Sequence, residues 1–291
     1  MKPISDASHP KSIVSSRRLG IFALKAIMYI FLAVITIVVL FPFYWMFITA
    51  VRPLSEIYTS PPILWPREFQ WHNFAETIEV SNFHIYFRNS GIVTFFSTAL
   101  TVSINLLGGY AFAKYDFRFK EILFMLVLTT LMIPLQVIMI PSFIIVSRLG
   151  FLNTYAGLAI PPSAEAFGLF LSRQFMSAIP NELIEAGRID GATEFGIFRT
   201  IVLPNSRALC SVLIIFTAMW RWNDFQWPLI IVSDANMFTV QLGLAMLNAA
   251  LHVNPNHMMA AALMSVIPLV VVFLIFQRQF IQGIASTGIK G

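Results

Sequence analysis

Four stretches of this chain, residues 26–51, 89–113, 122–147 and 258–276, contain no charged side chain. Each is about as long as the roughly 20 residues an α-helix needs to cross the hydrocarbon of a bilayer. Hydrocarbon offers no water to backbone N–H and C=O groups, so runs of this length must satisfy them internally, as helices. Two further spans are expected with interruptions. Residues 149–172 hold Pro161, Pro162 and Glu165, and residues 204–227 keep an apolar centre at 209–220 between charged ends. The expected fold class is therefore an all-α integral membrane protein with six transmembrane helices. A content of 57% hydrophobic residues against 11% charged ones is more than a single soluble core requires.

Six spans place both termini on one side, and the positive-inside rule identifies that side as the cytoplasm. Of the 19 Lys and Arg residues, only Arg52, Arg67, Arg88, Arg148 and Arg221 fall on the other side. The net charge of +5 thus follows from topology; the basic residues sit in short loops beside spans, which argues against a nucleic-acid partner. The basic N-terminal stretch starts like a signal peptide, but the apolar run after it is too long and lacks a clean small-x-small cleavage site, so it is expected to stay as an anchor. The single cysteine, Cys210, allows no internal disulfide. Residues 1–20 read as a polar cytoplasmic tail, 21–281 as one transmembrane domain, and 282–291 as a small, nearly uncharged cytoplasmic tail. The longest outer loop, 52–88, combines Pro53, Pro61, Pro62 and Pro66 with Trp65 and Trp71, and is expected to pack as a cap.

Against this background residues 179–207, IPNELIEAGRIDGATEFGIFRTIVLPNSR, are anomalous. They carry Glu182, Glu185, Arg188, Asp190, Glu194, Arg199 and Arg207, all on the cytoplasmic side between the fourth and fifth spans. Pro180 suits a first helical turn, Glu182 complements the positive N-terminal end, and Gly191 can take the left-handed conformation that closes a helix over about 180–190. Thr193 can then cap a second helix running to Val202, with Phe195, Phe198 and Val202 or Ile201 as its apolar face. Two short helices joined by a glycine turn make a projecting knob. A loop that is polar merely because it meets water has no need of Ala186 and Gly187 side by side, since Gly costs a helix about 1 kcal/mol relative to Ala. Small residues there admit a second surface, and the segment reads as a docking element for a cytoplasmic partner.

The knob also resembles a known motif. EAGRIDGATEFGIFRTIVLP is similar to the EAA loop of the permease subunits of bacterial ABC importers, Glu-Ala-Ala, three residues, Gly, nine residues, Ile-x-Leu-Pro. Glu185, Ala186, Gly191, Ile201, Leu203 and Pro204 match it in type and spacing, and Gly187 departs from it where Ala is usual. WRWNDFQWPLIIVSD, residues 220–234, with FTVQLGLAML after it and FQRQFIQGIASTGIKG at the end, resembles the shorter permease subunit of maltose-type carbohydrate importers. The resemblance implies a type I importer of the bacterial plasma membrane: a second permease subunit, two cytoplasmic ATPases and an external solute-binding protein. It assigns Glu185, Ala186, Gly187, Arg188, Asp190, Gly191 and Ala192 to ATPase coupling, with Glu185 bonding into the ATPase cleft. The residues agree with that division of labour. No G-x-x-x-x-G-K-[ST] loop is present, so ATP hydrolysis belongs to a partner.

Asn105, Gln136, Asn153, Glu165 and Asn223 are candidates for the solute pathway. Each has an alternative: the amides can cross-link helices, and Glu165, just after the Pro-Pro break, can be structural. Trp220, Trp222 and Trp227 are better read as an interfacial aromatic belt than as sugar-stacking platforms. His252 and His257 lack metalloprotease spacing, and neither a nucleophile with a paired base nor an H-E-x-x-H motif is present, so no metal, cofactor or catalytic residue is assigned. A transporter driven by an ion gradient is the remaining alternative, and the absence of a recognisable internal repeat weighs against it.

Overall fold

A computed structural model describes the backbone of residues 11–249 and 254–288, and side chains within 22–249 and 254–277. Residues 1–10 and 289–291 of the two expected tails, and His252, lie outside the described residues. Every described element is helical.

Helix α1 (Lys11–Val51) begins inside the expected polar tail. Most of its apolar length stands exposed, whereas Ile48, Ala50, Val51 and Arg52 at its end are buried. That end is covered by the loop that follows, which holds α2 (Leu54–Ile57) and α3 (His72–Val80). Asn73 Nδ2 donates to the Ala50 carbonyl at 2.8 Å, and the Gln70 N–H donates to the Val51 carbonyl at 2.7 Å. Arg52 is only 1% exposed, with its guanidinium 4.7 Å from the centre of the Trp45 ring.

Helix α4 (Phe83–Lys114) runs unbroken for 32 residues through the middle of the fold. The third uncharged run is not a straight span. It divides into α5 (Lys120–Thr129), a 3-10 turn at Thr130–Met132, and α6 (Leu135–Arg148), bent by 106°. The cause is local. Pro134 supplies no N–H and pushes the residue before it out of the helical region, and Ile133 adopts φ −91°, ψ 114°.

The expected fourth span is also divided and displaced toward the C-terminus. Gly150 and Asn153 take positive φ, α7 (Tyr155–Ala159) and a 3-10 turn at Pro161–Ser163 follow, and α8 (Ala166–Ser177) carries the rest. α8 packs closely on α4 because Gly109 presents no side chain to Ser172. Next come α9 (Asn181–Ile189), α10 (Glu194–Ile197), a π-helical turn at Phe198–Val202 and α11 (Leu203–Asn205). An 81° bend leads into α12 (Arg207–Trp222). The chain closes through α13 (Gln226–Ile231), α14 (Val240–Ala249) and α15 (Pro255–Gly288).

Among the described residues three helices are long and apolar enough to cross a membrane, or up to five if each bent pair counts as one span. The count of six therefore depends on joining α7 and α8 across the Pro161–Pro162 break.

Candidate functional site: a polar knob between two membrane segments

The knob forms as local rules dictate. The Gly191 N–H donates to the Arg188 carbonyl and the Ala192 N–H to the Gly187 carbonyl, both at 3.0 Å, with Gly191 at φ +80°. This is the paired closure in which a left-handed residue satisfies the last carbonyls of a helix. Thr193 Oγ1 accepts from the Gly196 N–H at 3.1 Å and so caps α10.

What lies beneath differs in two respects from the sequence expectation. Phe195 is 65% exposed, and the face turned inward is Ile197, Phe198 and Val202. Gly187 is buried, and a Cβ there would lie 2.9 Å from Ile201 Cδ1 and 3.1 Å from Ile197 Cγ1. The second surface that requires a small residue on α9 is thus the chain's own α10 and π-turn. Gly187 shapes the knob from inside.

The opposite face of α9 is open. Glu185, Ala186 and Asp190 are exposed, as are Gly191 and Ala192 in the turn. Among the described residues Glu185 makes no hydrogen bond or ion pair. One helical turn on stands Ile189, 86% exposed, and Leu183, 43% exposed, lies elsewhere on the same helix, apolar side chains on an otherwise polar projection. A free carboxylate beside exposed apolar groups suits a protein surface with a basic or N–H-rich cleft.

Arg188 is engaged within the chain. Its Nε donates to Glu194 Oε1 at 2.7 Å, and Tyr115 Oη donates to Glu194 Oε2. Bonding from Arg188, and then from Tyr115, holds the Glu194 carboxyl below the usual carboxylate range. Burial, reinforced by the bond to Glu194, raises the Tyr115 phenol well above the ordinary tyrosine value. Lys114 Nζ donates to Asn181 Oδ1 at 2.8 Å and to the Ile179 carbonyl. Sequence reasoning misses Lys114, Tyr115 and the Glu194 pairing, because no local spacing marks contacts across 65 to 79 positions.

Among the five solute-pathway candidates Asn105 and Glu165 come together beside Gly168, and Gln136, Asn153 and Asn223 each bond elsewhere. Asn105 is 1% exposed and occupies the space left by Gly168, where a Cβ would fall 2.0 Å from its Nδ2. Asn153 Oδ1 accepts from the N–H groups of Ser233 and Asp234 at 2.7 and 2.9 Å, joining two loops. Glu165 pairs with Arg221 at 3.3 Å, which ties α8 to α12. Gln136 and Asn223 are exposed, within 3.2 Å of Gln226 and 3.4 Å of Gln241 respectively. Two of the tryptophans expected in an interfacial belt are core residues. Trp222 and Trp227 are each 5% exposed, with Nε1 donating to the carbonyls of Ser265 at 2.9 Å and Gly157 at 3.0 Å. Among the described residues no group of three His, Cys, Asp or Glu side chains could hold a metal.

Among the described residues every element is helical, several helices are long and apolar enough to cross a bilayer, and a polar knob stands between two of them, which defines a multi-pass membrane protein. The family described as binding-protein-dependent transport system inner membrane component matches residues 104–286. The chain is 32% identical over 267 residues to the arabinooligosaccharides transport system permease protein AraQ of Bacillus subtilis, covering 90% of this chain and 94% of that one. It is 33% identical over 283 residues to the sn-glycerol-3-phosphate transport system permease protein UgpE of Yersinia pestis, covering 94% and 99%. A bacterial ABC transporter involved in import of the acidic polysaccharide alginate has the same fold, at TM-score 0.80 and 20% identity over 94% of this chain and 99% of that one.

The chain belongs to the binding-protein-dependent transport system inner membrane component family. It is accordingly a permease subunit of an ABC importer, resident in the inner membrane and not itself an enzyme. Membership implies, in general terms, a partner permease, an ATPase and a binding protein.

Proposed function

We propose that this permease imports a sugar or sugar derivative, with both termini in the cytoplasm and six crossings, the fourth made jointly by α7 and α8. It pairs with a second, different permease, and two ATPases dock on the paired knobs. Glu185 enters the ATPase cleft, Ala186 and Ala192 leave room for close approach, and Asp190 and Gly191 hold the turn in place. An external binding protein delivers the solute to the opposite face, where loop 52–88 lies. Gln136 and Asn223, the two exposed amides among the pathway candidates, are assigned to the solute route.

The observation that carries this reading is the free, exposed Glu185 on a knob otherwise stapled to its own chain. The sugar class rests on relatives named for arabinooligosaccharides and glycerol phosphate that align over nearly the whole chain. The test is uptake in a deletion strain supplied with labelled arabino-oligosaccharides, maltose, sn-glycerol-3-phosphate, amino acids and divalent metals. Loss of one carbohydrate or polyol phosphate, dependent on ATP, is expected. Loss confined to an amino acid or a metal would refute the sugar assignment.

A further inference from the structure

Where α4 leaves the apolar layer, its last residue and the one after it both reach the knob. Lys114 holds the start of α9 through Asn181 and the preceding Ile179 carbonyl. Tyr115 holds the first residue of α10, Glu194, which Arg188 ties back to α9. Beneath these polar links the Tyr110 ring lies 5.4 Å from that of Tyr115 and 5.5 Å from that of Phe198, in one apolar cluster with Ile184 and Ile197. Both helices of the knob are therefore fastened to one end of α4.

The far end of α4 is fastened as well. Asn89 Nδ2 donates to the carbonyls of Asn236 and Phe238 at 2.8 and 3.0 Å, and its Oδ1 accepts from Tyr155 Oη at 2.6 Å. Ser90 Oγ accepts from the Val240 N–H at 2.8 Å. Between the two fastenings, at residues 89 and 114, the helix runs unbroken through 25 rises of 1.5 Å, about 38 Å. The other segments near the knob are shorter or bent: α8 reaches back only to the break that follows the 3-10 turn at Pro161–Ser163, α5 and α6 meet at 106°, and the knob joins α12 at 81°. A straight helix fastened at both ends passes a displacement along its length, whereas a sharp bend can absorb it.

We propose that α4 is the rod that carries ATPase-driven movement of the knob to the outer segment at residues 236–240, and that Lys114, Tyr115, Arg188 and Glu194 are positioning residues locking the knob to it. This rests on the knob being the ATPase dock. It assigns the transmission step to residues separate from Glu185, which remains free for the partner. The Arg188–Glu194 pair is exposed, and such pairs add little to folding, so loss of the lock should appear in coupling rather than in assembly.

The test uses the whole complex in lipid nanodiscs, this chain with its partner permease and ATPases, in a Cys210→Ser background. A Thr239→Cys reporter is placed in the outer segment, where Thr239 is 4% exposed. Its labelling by a maleimide is timed with and without ATP plus vanadate. With the lock intact the rate should change by about threefold or more; Glu194→Ala and Lys114→Met should each abolish most of that change while ATPase copurification and hydrolysis stay within about twofold. Glu194→Gln, which keeps an acceptor oxygen for Tyr115 but loses the ion pair with Arg188, should retain part of the response. The proposal is overturned if the reporter ignores nucleotide in the unaltered chain. It is equally overturned if Glu194→Ala and Lys114→Met respond normally, or if they lose the ATPase. Failure of the unaltered chain to copurify any ATPase would bring down the importer reading and the rod with it. A complex that copurifies and hydrolyses ATP but leaves the reporter silent overturns the rod alone.

Discussion

The contact between α4 and α8 can be tested with a single methyl group placed at two positions on one helix. A Cβ at Gly109 would fall 2.2 Å from Ser172 Cβ, 2.9 Å from the Ser172 carbonyl carbon and 3.0 Å from the Arg173 nitrogen. Carbon atoms rest about 3.5 to 4.0 Å apart, so α8 must retreat by roughly 1.5 Å, and none of the three atoms, two of backbone and one Cβ, moves with a rotamer change. Overpacking of this kind costs about 1 to 3 kcal/mol, while replacing a helical glycine by alanine returns up to ~1 kcal/mol. Backbone opposition puts Gly109→Ala at the upper end, for a net loss of about 2 kcal/mol. Gly91, on the same helix, has nothing within 4 Å of its Cβ position. Gly91→Ala should therefore be neutral or up to ~1 kcal/mol stabilising. Reversible unfolding of the two variants in mixed dodecylmaltoside and SDS micelles, followed by tryptophan fluorescence, measures the difference directly. If Gly109→Ala were as stable as Gly91→Ala, the close approach of α4 and α8 and the role given to Gly109 would be wrong.

Three further outcomes are expected. With Cys210 replaced, a cysteine at Ser60 should react with an impermeant thiol reagent added to intact cells and one at Thr193 should not; the reverse pattern would invert the topology. Trp222→Phe should cost about 1 to 3 kcal/mol, because it removes the 2.9 Å bond to the Ser265 carbonyl from a site only 5% exposed, and a cost near zero in the same micelle assay would return Trp222 to the belt. The Glu194 link has a defined pH window. Its carboxyl is depressed, so the link is intact above the ordinary carboxylate value near 4.5 and fails as pH falls through the lowered one. The Tyr115 phenol is raised, so its share is intact below the ordinary value of 10.0 and fails only above it. Hydrogen exchange of the knob amides, corrected for intrinsic rate, should be flat across neutral pH and quicken at both extremes, and a break near neutrality would contradict the pairing.

Features set by neighbours along the chain are legible in the amino-acid sequence. The closure at Gly191, the cap at Thr193 and the helix over residues 181–189 depend on spacings of a few residues, and the knob folds as those spacings require. The third apolar run shows where hydropathy alone falls short: it registers that 122–147 avoids water but not that Pro134 turns the chain through 106°. Trp222 and Trp227 look alike in composition whether they line an interface or a core; only the positions of the Ser265 and Gly157 carbonyls decide. Counting ordinary helical turns from Thr193 puts Phe195 on the inner face. The π-turn at Phe198–Val202 and the Gly187 surface of α9 favour Ile197 instead. Lys114 and Tyr115 carry no signal, since a basic and an aromatic residue at the end of a span already have an ordinary explanation in membrane anchoring.

The central claim is that Glu185 links this permease to its ATPase, and the most direct measurement is the amount of ATPase copurifying with Glu185 variants at matched permease levels, taken alongside uptake. A charge-assisted hydrogen bond into the cleft corresponds to about a tenfold to hundredfold change in an equilibrium constant, so Glu185→Ala should weaken docking by that order. Glu185→Lys should weaken it further by adding repulsion against a basic cleft. Both variants should insert normally, since Glu185 is exposed and bonds to nothing among the described residues. Normal ATPase recovery together with normal uptake in Glu185→Lys would contradict the account.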